Sequence, residues 1–415
     1  MQGALSRRQW AIVASLALIA AATLTPSPHG EWLHDFWCWR CREAPDSVDI
    51  ALNILLFMPL GISLSREIRL SRALAVIVAT TVVIEVLQYF VIVGRFGVLR
   101  DVVANTAGGV LGLAIGYNAK TLVRPDQRTA RRIAWIAAVF WLGHAVLAML
   151  AFRPAATRFL FYAHVRPELG QYDVYGGSVG RASVNGAIVY SGPFPPGVDP
   201  KAWTSEPLDL AASVTMGPPT SRPAPILGIT DSRMNDIAFL GESRGDLFFR
   251  SRTRGVDFGL RPPVVVLSHV FDTLGAQRGA GLLVAGMRDS FTLTTKAQNG
   301  IGQTGVATAT LTPSLGWMLW WPFGIPHPAT VRWVRWLWLA IPFVAIAFWS
   351  GAAAEDRRGV WAIAPPVAAI AGAHVLVPWW FGARPIGVWS DAIPIAIGLV
   401  AGLALGASRR SASRT

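Results

Sequence analysis

Charge is what this chain has least of. Only 15% of its 415 residues are charged and 53% are hydrophobic, where a soluble domain carries about 25% charge. An ordinary water-soluble fold is excluded. Cysteine is nearly absent: Cys38 and Cys41 stand alone in Cys-Trp-Arg-Cys. Two thiols do not make a zinc site. They can close a local disulfide, stay free or take part in exchange. The seven histidines have no metal-ligand spacing, and no glycine-rich phosphate loop follows a strand. Ser268, His269 and Asp272 form a local cluster on one segment, not a triad.

Long apolar runs are what the chain has instead. A run of about 20 apolar residues spans the hydrocarbon core of a bilayer. Eight such segments are predicted, at 10–25, 48–64, 73–93, 101–119, 133–152, 333–350, 360–380 and 391–407. The stretch 153–316 alone is mixed in character. It holds 12 of the 24 acidic and 15 of the 37 basic residues, so most of the net charge of +13 lies in the membrane part. That excess needs no nucleic acid, because it follows the positive-inside rule. With Arg7 and Arg8 in the cytoplasm, the cytoplasmic turns collect Arg66, Arg69, Arg72, Lys120, Arg124, Arg128, Arg131, Arg132, Arg357, Arg358, Arg409, Arg410 and Arg414. Both termini are then cytoplasmic, residues 153–316 are extracytoplasmic, and the compartment is a bacterial inner membrane. No small-x-small cleavage site precedes Pro26, which favours an uncleaved first span over a signal peptide. Trp32, Trp37, Trp39, Trp317, Trp320, Trp321, Trp333, Trp336 and Trp338 flank spans, where indoles settle at headgroup level.

Three consecutive spans carry polar side chains that hydrocarbon disfavours by at least about 2.5 kcal/mol for a charged group near its centre. The second has Asp49 and Asn53, the third Glu85 and Gln88, the fourth Asp101 and Asn105. Spacings of three or four put each pair on one helix face. With the orientation above, the pairs converge at similar depth on the outer side, below Arg95 and Arg100. Such groups bind a ligand or headgroup, glue helices together, or serve as acid, base or metal ligand; Glu85 and Asp101 are the residues that catalysis would need. Gly108, Gly112 and Gly116 recur every fourth residue, which is a seam for close helix packing.

The ordered set Asn53-x-x-x-Phe57-x-Pro59-x-Gly61, Glu85-x-x-Gln88, Arg95 and Asp101-x-x-x-Asn105-x-x-Gly108-Gly109 resembles the VanZ-like family of bacterial membrane proteins, over roughly residues 8–152. The founding member of that family is linked to teicoplanin resistance. The resemblance therefore implies a cell-envelope glycolipid ligand, and it brings no reaction with it. A second echo lies within the chain. Asp391 and Asp101 are each followed by glycines at +7, +11 and +15, in 391–406 and 101–116. The last three spans then read as a degenerate repeat, with Ile395 at the position of Asn105 and Val375 or His374 at that of Glu85.

From about residue 165 to 312 the pattern changes to short β-branched or alternating runs bounded by Gly, Pro, Asn and Asp. Strands are predicted at 226–230, 237–240, 246–250, 264–271, 282–285 and 291–295. An antiparallel jelly-roll sandwich is the expected fold. The segments 222–231, 235–240 and 246–253 resemble concanavalin A-like, laminin-G-type domains, which often bind glycans, some with calcium. Asp231, Asn235 and Asp236 could supply oxygens to calcium, although these residue types also dominate ordinary turns. Arg250, Arg252 and Arg254 alternate along one strand end and make a basic face.

The expectation is a polytopic α-helical membrane protein in three parts: 1–152, the inserted all-β sandwich 153–316, and 317–415. Its expected role is non-catalytic. It would bind a membrane lipid or lipid-linked saccharide through Asp49, Asn53, Glu85, Gln88, Arg95, Arg100, Asp101 and Asn105, with a glycan on the sandwich. No resident cofactor or metal is expected. A membrane enzyme acting on a polyprenyl-linked substrate and an assembly scaffold are the alternatives.

Overall fold

The computed structural model describes residues 6–26, 46–92, 95, 97–155, 160–169, 172–194, 207–273, 281–354, 360–383 and 388–414. Cys38 and Cys41, together with Trp32, Trp37, Trp39, Arg357 and Arg358, lie outside these. The chain divides into two compact units, Met1–Ala130 and Arg131–Thr415.

In the first unit the apolar runs become α1 (Arg7–Thr23), α2 (Ser47–Leu64), α3 (Leu70–Phe90) and α4 (Leu99–Val123). Hydrocarbon offers no partner to backbone amides, so an apolar run satisfies them internally as helix. Caps fix where two of these helices begin. Ser6 and Gln9 form a capping box on α1, and Asp46 accepts from the amides of Val48 and Asp49 on α2, both at 3.1 Å. The core is small: Ile19, Phe57, Leu60, Leu64, Ala73, Ile77, Ile84 and Leu113. Contact between α2 and α4 is backbone to backbone. A Cβ on Gly108 would sit 2.2 Å from the carbonyl oxygen of Ile54, and one on Gly112 would sit 2.2 Å from that of Met58. From the other side, a Cβ on Gly61 would sit 2.1 Å from the carbonyl oxygen of Gly109.

The second unit joins α5 (Gln127–Phe152), whose first residues belong to the first unit, to a two-sheet sandwich and a further set of helices. The strands are β1 (Phe161–Val165), β2 (Ser178–Val184), β3 (Ala187–Val189), β4 (Gly192–Pro193), β5 (Leu208–Thr215), β6 (Ala224–Asp231), β7 (Asp236–Ser243), β8 (Asp246–Ser251), β9 (Val264–Leu267), β10 (Gly281–Asp289), β11 (Thr292–Asn299) and β12 (Thr304–Thr310). They form two antiparallel sheets, ordered β4-β1-β6-β7-β8-β9 and β12-β11-β10-β5-β2-β3. The sheets interlock where Phe249 packs on Gly286; a Cβ there would come within 2.3 Å of its ring. Strand β6 is buried along its whole length. Its sheet is also covered on the outside, where Phe239, Phe248 and Val264 pack with Leu169 and Ile325. This double burial explains why its sequence is a continuous apolar run rather than an alternating one.

The predicted strand 264–271 ends early, at Leu267. His269 takes a positive φ of 57°, its amide donates to Asp246 at 2.8 Å, and Val270–Thr273 is a short helix, α6. Residues Pro313–Trp320 form a 3-10 segment that leads toward α7 (Pro328–Ala353). Then follow α8 (Val360–Ile370), a π-helical stretch at Ala371–Leu376, α9 (Val377–Trp380) and α10 (Val388–Arg414).

Among the described residues, six helical segments are long and apolar enough to cross a membrane: α2, α3, α5, α7, Ile363–Trp380 and Ser390–Arg409. The chain is a membrane protein, with two differences from the eight predicted spans. The apolar part of α1 is short, at Gln9–Thr23. Helix α4 is 25 residues long, but glycines and polar groups dilute its apolar character. The expected tryptophan belt also divides. Trp333 is 64% exposed, whereas Trp317 is 2% exposed and belongs to the core.

Packing of α7 against α10 follows the pattern of α2 against α4. Cβ atoms on Gly398, Gly402 and Gly406 would sit 2.5, 2.4 and 2.2 Å from the carbonyl oxygens of Ala340, Val344 and Phe348.

Candidate functional site

The polar pairs of the first unit divide into two groups. One gathers at the start of α2 and α4. Arg100 lies 3.7 Å from Asp49 and 3.7 Å from Asp101, and Asn53 stands close to the Asp101 carboxylate. Glu85 faces the same acids from α3. It is 5% exposed and accepts the Val98 amide at 2.9 Å. That bond closes the turn between α3 and α4 onto the site. Gly97 makes the closure sterically feasible, because a Cβ there would fall 2.6 Å from the Glu85 carbonyl oxygen.

The other group turns toward α1. Gln88 donates to the Thr23 carbonyl at 2.9 Å, and Arg95 donates to the carbonyls of Thr25 and Ala22 at 3.2 and 3.3 Å. Carbonyls at a helix C-terminus lack intrahelical partners, and a cation is favoured beside them. Gln88 and Arg95 therefore secure the end of α1 and stand apart from the acids. Asn105 is 1% exposed and donates to Thr81 Oγ1 at 2.9 Å. Thr81 carries no sequence signal of this role, since threonine is common on apolar helices.

The first group is left incomplete. Arg100 Nε and Asp101 Oδ1 are buried and face each other at 3.7 Å, beyond hydrogen-bond length, and Asn105 Oδ1 is buried with no hydrogen-bond partner among the described residues. Unmade buried hydrogen bonds cost about 1–3 kcal/mol each, so a group that both donates and accepts would be stabilised there.

Other predicted site residues have local structural partners. Asp231 accepts from the amides of Arg233 and Asn235 and from Asn235 Nδ2, each at 2.9 Å, which closes the β6–β7 turn. Asp236 is bonded to Arg250. Among the described residues no group of three His, Cys, Asp or Glu side chains could hold a metal ion. The basic face also resolves into pairs, Arg250 with Asp236 and Arg252 with Asp257, the latter at 2.8 Å.

A second polar cluster, in the second unit, is built around Asp391. Arg335 donates to it at 2.6 Å and Ser314 at 2.5 Å. Ser314 Oγ is 3.4 Å from His374 Nδ1, and His374 Nε2 accepts from the Trp141 indole at 3.3 Å. The indole bond fixes the tautomer, so Nδ1 carries the proton and donates to Ser314. A directed chain therefore runs Trp141, His374, Ser314, Asp391. The Ser314→Ala variant is expected to cost about 1 kcal/mol of stability by breaking it, which thermal unfolding in detergent would read.

Residues 6–121 match the VanZ/LLP1 family. No curated protein and no solved structure matches the chain. A VanZ-like domain thus occupies α1 to α4 nearly to the end of α4, in a membrane- or envelope-associated protein. The match does not reach the sandwich, whose likeness to concanavalin A-like domains rests on sequence pattern alone.

Proposed function

We propose that the VanZ-like unit binds the polar head of an outer-leaflet lipid or lipid-linked saccharide, without catalysis. The observation that carries this reading is the set of open groups on Arg100, Asp101 and Asn105, beside Asp49, Asn53 and Glu85. Unmet donors and acceptors occur together there, and a sugar or glycerol hydroxyl supplies both roles at once. The positive-inside count supports an inner-membrane placement with cytoplasmic termini and residues 153–316 outside.

The sandwich adds a candidate glycan surface of its own. A cleft of about 410 Å³ is lined by Ser178, Ser213, Thr215 and Gln298. Non-sequential pairings β1–β6, β2–β5 and β5–β10 support a jelly-roll, concanavalin A-like reading. The glycine seam of α7 and α10 supports a degenerate internal repeat. In that half Arg335 neutralises Asp391 at short range, so the corresponding site is sealed by its own residues.

The test is retention of native lipid. Lipids that co-purify with the protein in mild detergent are extracted and quantified by mass spectrometry. Asp101→Ala is expected to lower the retained headgroup lipid roughly tenfold, the equivalent of about 1.4 kcal/mol, with thermal unfolding nearly unchanged. Equal retention alongside a lower unfolding temperature would mean that these groups only join helices. Glu85→Gln separates the enzyme alternative. Its carboxylate already accepts from Val98, so the amide is expected to keep function; abolished turnover of a polyprenyl-linked substrate would assign it acid–base work.

A further inference from the structure

Three large apolar side chains are exposed at one end of the first sheet. Leu160, Met234 and Phe258 are 70, 56 and 68% exposed. Leu160 immediately precedes β1, and its neighbour Phe161 pairs with Asp231 at the end of β6. Met234 lies in the β6–β7 turn, where its amide donates to the Asp231 carbonyl at 2.9 Å. Phe258 ends a 3-10 turn, Arg254–Phe258, that follows β8. The Arg252 amide donates to the Ile237 carbonyl at 2.6 Å, so the start of that turn stands beside the β6–β7 turn. A single exposed apolar side chain needs no explanation, but several at one end mark a contact surface.

This end of the sandwich is the one fastened to the spans. Pro154, two residues beyond α5, bridges to Thr253, and the Arg254 amide donates to the Arg153 carbonyl at 2.9 Å. Gly255 packs on the last turn of α5, where a Cβ on it would lie 3.3 Å from the Ala151 methyl. The Arg153 guanidinium lies 4.9 Å over the ring of Phe381, the residue after α9. Trp379 and Trp380, both exposed, end the apolar segment Ile363–Trp380. Indoles at the end of a span settle at headgroup level. The 3-10 turn that carries Phe258 therefore stands at that level too.

We propose that this end of the sandwich is seated in the leaflet it faces, with Leu160, Met234 and Phe258 among the glycerol groups and upper acyl chains. The partner is a lipid surface, recognised through its apolar layer. Three uncharged side chains select no particular headgroup. The seat also sets the height of the polar cleft on the second sheet. Strand β10 runs from Gly281, in the wall of that cleft, to Arg288 and Asp289, and Arg288 donates to the Phe152 carbonyl at 2.7 Å. At about 3.4 Å per residue these ends are roughly 25 Å apart. A glycan in the cleft must then extend away from the membrane, because a headgroup within the leaflet stays out of reach. The inference stands apart from the acids of the VanZ-like unit and does not depend on their role.

The experiment is photolabelling of the full wild-type chain in phosphatidylcholine nanodiscs. A fraction of the lipid carries a diazirine near the glycerol end of one acyl chain, and labelled residues are mapped by digestion and mass spectrometry. Leu160, Met234 and Phe258 are expected to be labelled severalfold above Tyr190. Tyr190 is the control: it is also an exposed apolar side chain, but it adjoins Ser191, whose Oγ accepts from the Val165 amide at 3.0 Å at the far end of β1. Tyr190 labelled as strongly as the three, or no label on any of the three, would overturn the seat. Exchanging phosphatidylcholine for phosphatidylglycerol is expected to leave the pattern unchanged. Labelling that appears only with the anionic lipid would assign the contact to the neighbouring arginines and overturn the apolar seat. No substitution is made, so misfolding of a variant cannot obscure the result.

Discussion

The Gly112→Ala variant should lose the folded VanZ-like unit, not merely weaken it. The new Cβ would lie 2.2 Å from the Met58 carbonyl oxygen and 3.0 Å from the Ile62 amide nitrogen. Both are backbone atoms of a helix, so neither can rotate away. Relief requires moving α2 off α4, which also separates Gly108 from Ile54 and Gly61 from Gly109. Overpacking a core costs about 1–3 kcal/mol where side chains can shift, and here they cannot, so the loss should exceed that range. Gly143 is the control. It is a helical glycine, and an alanine methyl there would meet nothing within 4 Å. Alanine at that position should be neutral or slightly stabilising, given its better helix propensity. Size-exclusion profiles and thermal unfolding in mild detergent would compare the two. Similar behaviour of Gly112→Ala and Gly143→Ala would refute the close seam. Gly402→Ala, whose Cβ would meet the Val344 carbonyl at 2.4 Å, should resemble Gly112→Ala in the second unit.

Helix content and the polar pairs were legible because both depend on local spacing. A run of apolar residues has one outcome in hydrocarbon, and Asp49 with Asn53, or Asp101 with Asn105, can be placed on one face by counting. Destination was not legible. Gln88 and Glu85 share a face of α3, yet Gln88 reaches the Thr23 carbonyl and Glu85 receives the Val98 amide. Those partners are backbone groups, which leave no mark in the sequence. Trp317 misled for a related reason. An indole beside a span fits the headgroup layer, but here the chain turns inward as a 3-10 segment and buries it. In the sandwich, the apolar and β-branched runs of β6 to β11 could be read, while β1 to β5 and β12 could not. The serines, glycines and alanines of β2 and β12 look like loop until a neighbouring strand pairs with them, and β3 is only three residues long.

Truncating Arg288 should separate the sandwich from the end of α5. Arg288 is 4% exposed. Its Nη2 donates to the Phe152 carbonyl at 2.7 Å and its Nη1 to the Arg252 carbonyl at 2.9 Å and Ser251 Oγ at 3.2 Å. Its Nε donates to the Ser290 carbonyl at 3.2 Å. Phe152 is the last residue of α5, where free carbonyls favour a cation. No carboxylate is paired with Arg288 in these bonds, and burial pushes its guanidinium down from its ordinary value to about 10. A shift of that size corresponds to a penalty on the order of 3 kcal/mol. Hydrogen bonds from a charged donor contribute about 1.5–3 kcal/mol each, so four of them outweigh it. The sign over pH follows: a lowered cation pKa means that the penalty is already complete at neutral pH, and nothing further is lost on acidification. Arg288→Ala should therefore destabilise the second unit by about 3 kcal/mol, with little dependence on pH between 5 and 8. Arg288→Met fills the space without the donors and should recover only the packing part. Full recovery by methionine, measured as the unfolding temperature in detergent, would show that the side chain acts through its volume and that its bonds to the end of α5 contribute nothing.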